Sequence, residues 1–207
     1  MLFRSIAAAR ILGVAPAEAA RALRDFRGVH RRFELRGTAR GAAFYDDYGH
    51  VPTELAVTLE VARRTWRATY RGLIPDADIE RFLDRYYSLE ALSRALERLG
   101  EGMLVAVVGD QVIGYANCGV NQENSGELFA IYVLPEWQRR GVGQELWQRA
   151  IEHLRSRGLQ EMVVWVLAAN EPARRFYEQQ GAVPLGTRAF SVGESQIEEV
   201  GYVVRFA

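Results

Sequence analysis

The sequence predicts a mixed α/β protein in which helices come first and strands then alternate with helices around one sheet. Two observations carry this. From Gly100 onward, short apolar runs rich in Val, Ile and Tyr alternate with helix-periodic segments, and Gly or Pro marks each change. Ahead of them, Pro52 opens a long helix to about Arg71 with Leu55, Leu59, Ala62 and Trp66 along one face.

In order, residues 5–12 form a short apolar helical stretch ended by Gly13. Pro16 to Phe26 reads as a helix with proline in its first turn. Arg31–Leu35 and Ala42–Tyr48 read as strands joined through Gly37 and Gly41. After the Pro52 helix, ended by Gly72 and Pro75, come a helix over Asp76–Tyr87 and another opened by Ser88 as N-cap and running to about Leu99. Met103–Val108 and Gln111–Cys118 are strands turning at Gly109 and Asp110. Glu127–Val133 is a strand stopped by Pro135. Gly141–Arg157 is an amphipathic helix closed by Gly158. A buried strand over Glu161–Leu167, a helix over Pro172–Gln180 and two late strands, near Phe190 and over Val200–Phe206, complete the chain.

Composition narrows the function. The 207 residues are 49% apolar and 25% charged with zero net charge, the profile of a globular protein. All 26 basic residues are arginine, so neither a Schiff-base lysine nor a P-loop lysine exists. Ten arginines face seven acids in residues 1–63, and sixteen face nineteen acids in 64–207, too little asymmetry to point to nucleic acid. One cysteine, no membrane-length apolar run and an arginine-interrupted N-terminus lead us to expect a cytoplasmic protein without disulfide or membrane partner. Cys118 reads as a small buried hydrophobe rather than a nucleophile.

The segment from Leu134 to Leu146 carries the chemistry. A strand runs into a turn with Gly141 and Gly143, and a helix follows at once. Backbone N–H groups at that helix start, with the helix dipole behind them, make a pyrophosphate cradle that needs no lysine. Glycine lets the anion approach the backbone closely.

Gln138-x-x-Gly141-x-Gly143 after such a strand resembles the acyl-coenzyme A signature of the GNAT N-acetyltransferases. The stretch Asn170-Glu-Pro-Ala-Arg-Arg-Phe176-Tyr177-Glu-Gln-Gln-Gly181 resembles a second motif of that family, with Ala182 in place of its final aromatic. Thr65 to Pro75 resembles an acceptor-side helix and loop. Together these cover residues 64–207. The resemblance implies a mostly antiparallel twisted sheet flanked by helices, with a small N-terminal α+β extension. It also implies direct acetyl transfer from acetyl-coenzyme A, as cosubstrate and without a metal, to a primary amine in a ternary complex. Ile131, Tyr132 and Val133 would bind the pantetheine arm. Gln138, Arg139, Arg140, Gly141, Val142, Gly143 and Gln144 would hold the pyrophosphate. Asn170 matches a residue on the cofactor arm and equally fits a helix N-cap.

Tyr177 matches the general acid that protonates the leaving thiolate; a core tyrosine is the alternative. An ammonium acceptor must also lose a proton, for which Glu127 is the candidate base and Glu123 the reserve, with a solvated strand-end acid as the competing reading. Trp66 and Tyr70, four residues apart, line an acceptor pocket or simply pack their helix face. Acceptors from a small amine to a peptide N-terminus fit, and a homodimer stays open. A non-catalytic acyl-coenzyme A binding module is the competing class.

Residues 6–63 resemble a different family. Phe26 to Leu35 and Tyr45 to Glu54 are similar to the junction of the central and C-terminal domains of the Mur ligases, with Val51 where that family usually has histidine. The ligase phosphate loop is absent, so acyl-phosphate chemistry is not expected. The expected division is a ligase-like extension over 1–41 and an acetyltransferase domain over 42–207. Within the latter, ligase-derived 42–63 replaces the native first strand and half-helix. An inactive chimera carrying a Mur ligase fragment, a single reading frame joined from misassembled DNA, is the competing account of the join.

Overall fold

A computed structural model of the chain describes residues 34–47, 52–91, 94 and 102–206. The helices expected over 5–12 and 16–26, the start of the 31–35 strand, Tyr48 and the helix end near Leu99 lie outside the described residues.

One sheet organises the rest. Its strands are β1 (Glu34–Ala39), β2 (Ala42–Asp47), β3 (Gly102–Val108), β4 (Gln111–Val120), β5 (Gly126–Val133), β6 (Glu161–Leu167), β7 (Val183–Val192) and β8 (Ser195–Arg205). They lie in the order β1-β2-β3-β4-β5-β6-β8-β7. Every neighbouring pair is antiparallel except β5 and β6.

Helices α1 (Pro52–Tyr70) and α2 (Asp76–Tyr86) cover one face; α3 (Val142–Ser156) and α4 (Glu171–Gln179) cover the other. On the α3 side, Leu146, Trp147, Ala150 and Leu154 are fully buried, the i, i+4, i+8 stripe an amphipathic helix presents to a core. Each large side chain so buried contributes roughly 1.5–3 kcal/mol of transfer free energy. On the other side, Trp66, Tyr70, Ile79, Phe82 and Leu83 of α1 and α2 form a second, aromatic core against Leu167 and Val192.

Element ends follow the punctuation. Gly141 precedes α3 with φ of 85°, and Gly158 follows it with φ of 81°. Asn170 caps α4 by accepting from the Ala173 N–H at 3.2 Å, and Ser88 accepts from the Ala91 N–H in the same way. Cys118 is wholly buried in the α3-side core.

Two expectations need correction. The first hairpin turns at Arg40 and Gly41, whose φ values of 53° and 78° suit a tight turn with both central residues left-handed. Gly37 is therefore not in the turn; it lies within β1, where the register with β2 shifts between Leu35 and Gly37. The last two strands form one long hairpin over 183–205 rather than two short pieces. Both hairpin strands β1 and β2 belong to the sheet, because β2 pairs with β3 from Ala43↔Val107 to Asp47↔Met103.

Candidate active site

The site begins where the two parallel strands part. Gly126, Glu127 and Leu128 of β5 pair with Met162, Val163 and Val164 of β6. A side chain at Gly126 would lie 2.5 Å from the Glu161 carbonyl, so only glycine lets the strands approach there. Phe129 is then skipped in the register with β4, which runs from Cys118↔Leu128 to Asn117↔Ala130. Beyond this bulge Ala130–Val133 pair only with β4, and Trp165–Leu167 only with β8. The fork leaves strand backbone of β5, including Ile131, Tyr132 and Val133, facing the gap.

The glycine turn closes the fork. Leu134 N–H donates to the Ile113 carbonyl at 2.9 Å, and a short 3-10 turn covers Pro135–Trp137. The Val133 carbonyl accepts from Gln138 Nε2 at 3.0 Å and from Thr65 Oγ1 at 3.4 Å. Arg139 and Gly141 take left-handed φ values of 58° and 85°. Gly141, the N-cap of α3, has no side chain to cap it, so among the described residues the N–H groups of the first turn keep their donors for an outside acceptor. Residues 138–144 form this turn and the first residues of α3. The Gln138 side chain is committed to Val133, and the Val142 side chain is buried in the core, leaving only its N–H to serve.

Tyr177 projects from α4 into the α3-side core, its ring 5.4 Å from Trp147 and 6.0 Å from Tyr202. Its hydroxyl bonds no described residue. Burial pushes its pKa well above the usual phenol value, with nearby Tyr70 adding to the shift, so the proton is held at neutral pH. Asn170, besides capping α4, donates from Nδ2 to the Tyr70 hydroxyl at 3.1 Å. Burial pushes Tyr70 up to about 12, against the lowering effect of that hydrogen bond.

The opposite wall is the α1–α2 face. Trp66 and Tyr70 are both buried, their rings 4.5 Å apart, and Trp66 stacks 4.4 Å from Phe82. Trp66 Nε1 donates to the Tyr132 hydroxyl at 2.9 Å, and the Tyr132 and Tyr87 hydroxyls share a short hydrogen bond. Their packing role is therefore realised. Glu127 is half-buried and accepts from Asn121 Nδ2 at 3.1 Å. Burial raises its pKa, countered by the Asn121 bond and by Arg188, and reinforced by Glu199. Glu123 is exposed on the β4–β5 turn.

Sequence reasoning missed several neighbours of this wall. Glu199 is buried and ion-paired to Arg188 at 2.7 Å, and the Arg188 guanidinium lies 4.0 Å over the Trp165 ring. These residues come from β6, β7 and β8, and no local spacing links them to Glu127. Among the described residues no cluster of three His, Cys, Asp or Glu could hold a metal, and no helix is long and apolar enough to cross a membrane.

An open, mostly antiparallel sheet, split at its parallel pair beside a glycine turn, is the architecture that the sequence reading expects of an acyl-coenzyme A-dependent acyltransferase. The sequence profile of the acetyltransferase (GNAT) family matches residues 59–182, and the chain belongs to that family. An uncharacterized N-acetyltransferase of Bacillus subtilis, YuaI, is 32% identical over 142 residues, 66% of this chain and 79% of that protein. The PaiA N-acetyltransferase of Thermoplasma acidophilum, solved in complex with coenzyme A, shares the fold with a TM-score of 0.63. It is 22% identical and covers 79% of this chain and 99% of its own. The N-terminal region is instead 50% identical over 62 residues to UDP-N-acetylmuramate–L-alanine ligase of Bifidobacterium longum subsp. infantis. That match is 30% of this chain and spans only 12% of the ligase.

Proposed function

We propose that this chain transfers an acetyl group from acetyl-coenzyme A to a primary amine. The observation that carries the reading is the fork between β5 and β6 over the uncapped start of α3. Acetyl-coenzyme A supplies a thioester, a pantetheine arm that can pair like a strand, and a diphosphate. Ile131, Tyr132 and Val133, which pair with β4 on one side and with no strand on the other, suit the arm. The N–H groups of Gly141, Val142, Gly143 and Gln144 suit the diphosphate, beside Gln138 and the charges of Arg139 and Arg140.

In this reading the amine nitrogen attacks the thioester carbon as the carbon–sulfur bond breaks. Glu127, directly or through water, takes the proton the amine loses, and its raised pKa makes it a better acceptor than an ordinary carboxylate. Tyr177 gives its hydroxyl proton to the departing sulfur. Asn170 holds Tyr70 beside it, with Trp66 and Tyr70 backing the acceptor side. A small amine or a peptide N-terminus is the acceptor class.

We also propose that residues 42–63 stand in for the strand and half-helix with which such a domain would otherwise begin. Pairing of β2 with β3 and the unbroken run of α1 through Arg63, Arg64 and Thr65 support this.

Calorimetry with acetyl-coenzyme A, followed by thiol release across a panel of amines, tests the reading. Binding with amine-dependent thiol release is the expected result. Binding without turnover on any amine would leave a binding module, and no binding would overturn the diphosphate assignment.

A further inference from the structure

Arg40 stands at the tip of the β1–β2 hairpin, exposed, yet its side chain runs across the glycine that opens α3. A Cβ placed on Gly141 would meet Arg40 Nε at 2.9 Å, Cδ at 3.2 Å and Cγ at 3.3 Å. The hairpin is fastened there by a second arginine. Arg149 of α3 donates from Nη1 to the Arg36 carbonyl at 3.0 Å, and its guanidinium lies 4.7 Å over the Phe44 ring of β2. One arginine anchors the hairpin and the other reaches the turn.

The charge at that place has the wrong sign for the chain alone. A helix start is the positive end of the dipole, and cations there are disfavoured. Arg139 and Arg140 stand on the same turn, and Arg140 lies 4.9 Å over the Trp137 ring. Among the described residues no carboxylate ion-pairs with Arg40, Arg139 or Arg140. Glu145, the acid of the first turn of α3, faces Arg149 at 3.5 Å instead. The Arg40 side chain at Gly141, two further arginines in the same turn and the helix dipole thus gather positive charge without an answering carboxylate from the described residues, an arrangement that a multiply charged anion balances.

We propose that Arg40 is a diphosphate-binding residue, a second wall of the cradle supplied by the hairpin, acting on the diphosphate of the acyl-coenzyme A. The proposal rests on the acyl-coenzyme A reading above. It assigns a binding role to a residue outside the 59–182 family match.

The test is calorimetry of the full chain and its Arg40→Gln variant with coenzyme A and with 3′-dephospho-coenzyme A, each at low and high salt. Arg40 carries no carboxylate partner among the described residues, so an unchanged melting temperature is expected. Arg40→Gln should weaken both ligands by about five- to tenfold and flatten the salt dependence, as loss of one solvent-screened phosphate contact requires. Equal affinity in variant and wild type overturns the role of Arg40 and leaves the acyl-coenzyme A reading standing. A loss confined to coenzyme A moves the contact to the 3′-phosphate and overturns the diphosphate assignment. A loss with unchanged salt dependence marks a displaced hairpin and likewise overturns it. Wild-type protein that binds neither ligand removes both readings together.

Discussion

At the scale of single residues, the two side chains proposed to move protons allow chemistry to be separated from packing. The Tyr177 hydroxyl bonds no described residue, so Tyr177→Phe keeps the ring contacts with Trp147 and Tyr202 and removes only the proton donor. The expected result is a nearly unchanged melting temperature with thiol release slowed on the order of 100-fold, read by a thiol-trapping assay. Glu127 differs because its carboxylate is partly desolvated. A folded-state pKa above the unfolded value means that Glu127 takes stability away as pH rises through that window. Glu127→Gln should therefore leave stability equal or higher at neutral pH while transfer falls. The wild-type rate should climb with pH through a point above the ordinary carboxylate range. A rate unaffected by Glu127→Gln would pass the base role to another group.

Elements record how much the chain betrays locally. The run from β5 through α4 is legible to within a residue or two because Pro135, Gly141, Gly158, Asn170 and Gly181 punctuate it. The bulge at Phe129 left no mark, since it arises from the unequal demands of β4 and β6 on one strand. Glu199, Arg188 and Trp165 escaped for a related reason: the long hairpin that carries two of them is largely exposed, and its polar face hides the strand pattern. Arg40 was equally silent, being one arginine among many until the hairpin brought it to Gly141.

The same hairpin supplies an element-scale prediction. Asp78 of α2 accepts from the Ser195 hydroxyl at 2.6 Å and the Glu194 N–H at 3.0 Å, which holds its carboxyl below the usual range, with Arg81 adding to the effect. A depressed folded pKa gives stability that is present above the unfolded pKa and lost as pH falls through the folded one. Asp78→Asn should lower the melting temperature at pH 7, and the gap from wild type should narrow on acidification. A gap independent of pH would refute the ionic role.

For the molecule as a whole, one sheet passes without interruption from residues that match a ligase to residues that match an acetyltransferase. The two cores on either side differ in make-up: aliphatic and aromatic under α3, densely aromatic under α1 and α2. Only the second lies beside the expected acceptor. Leu146→Ala, in the first core, should cost about 2–5 kcal/mol in chemical denaturation. Because Leu146 also packs near Gly114, some loss of order in the turn after β5 should follow.

Pairing of β2 with β3 has a further consequence for solubility. Met103–Val107 is an apolar ribbon whose outer hydrogen-bonding groups are met by Ala43–Asp47. A chain shortened to begin at Pro52 would bare that ribbon as a flat, uncharged sheet margin and withdraw Ala42 and Phe44 from the interior. Such a chain should self-associate in light scattering at concentrations where the full chain does not. Ligase-like sequence would then serve as a guard for another family's sheet, whatever its ancestry.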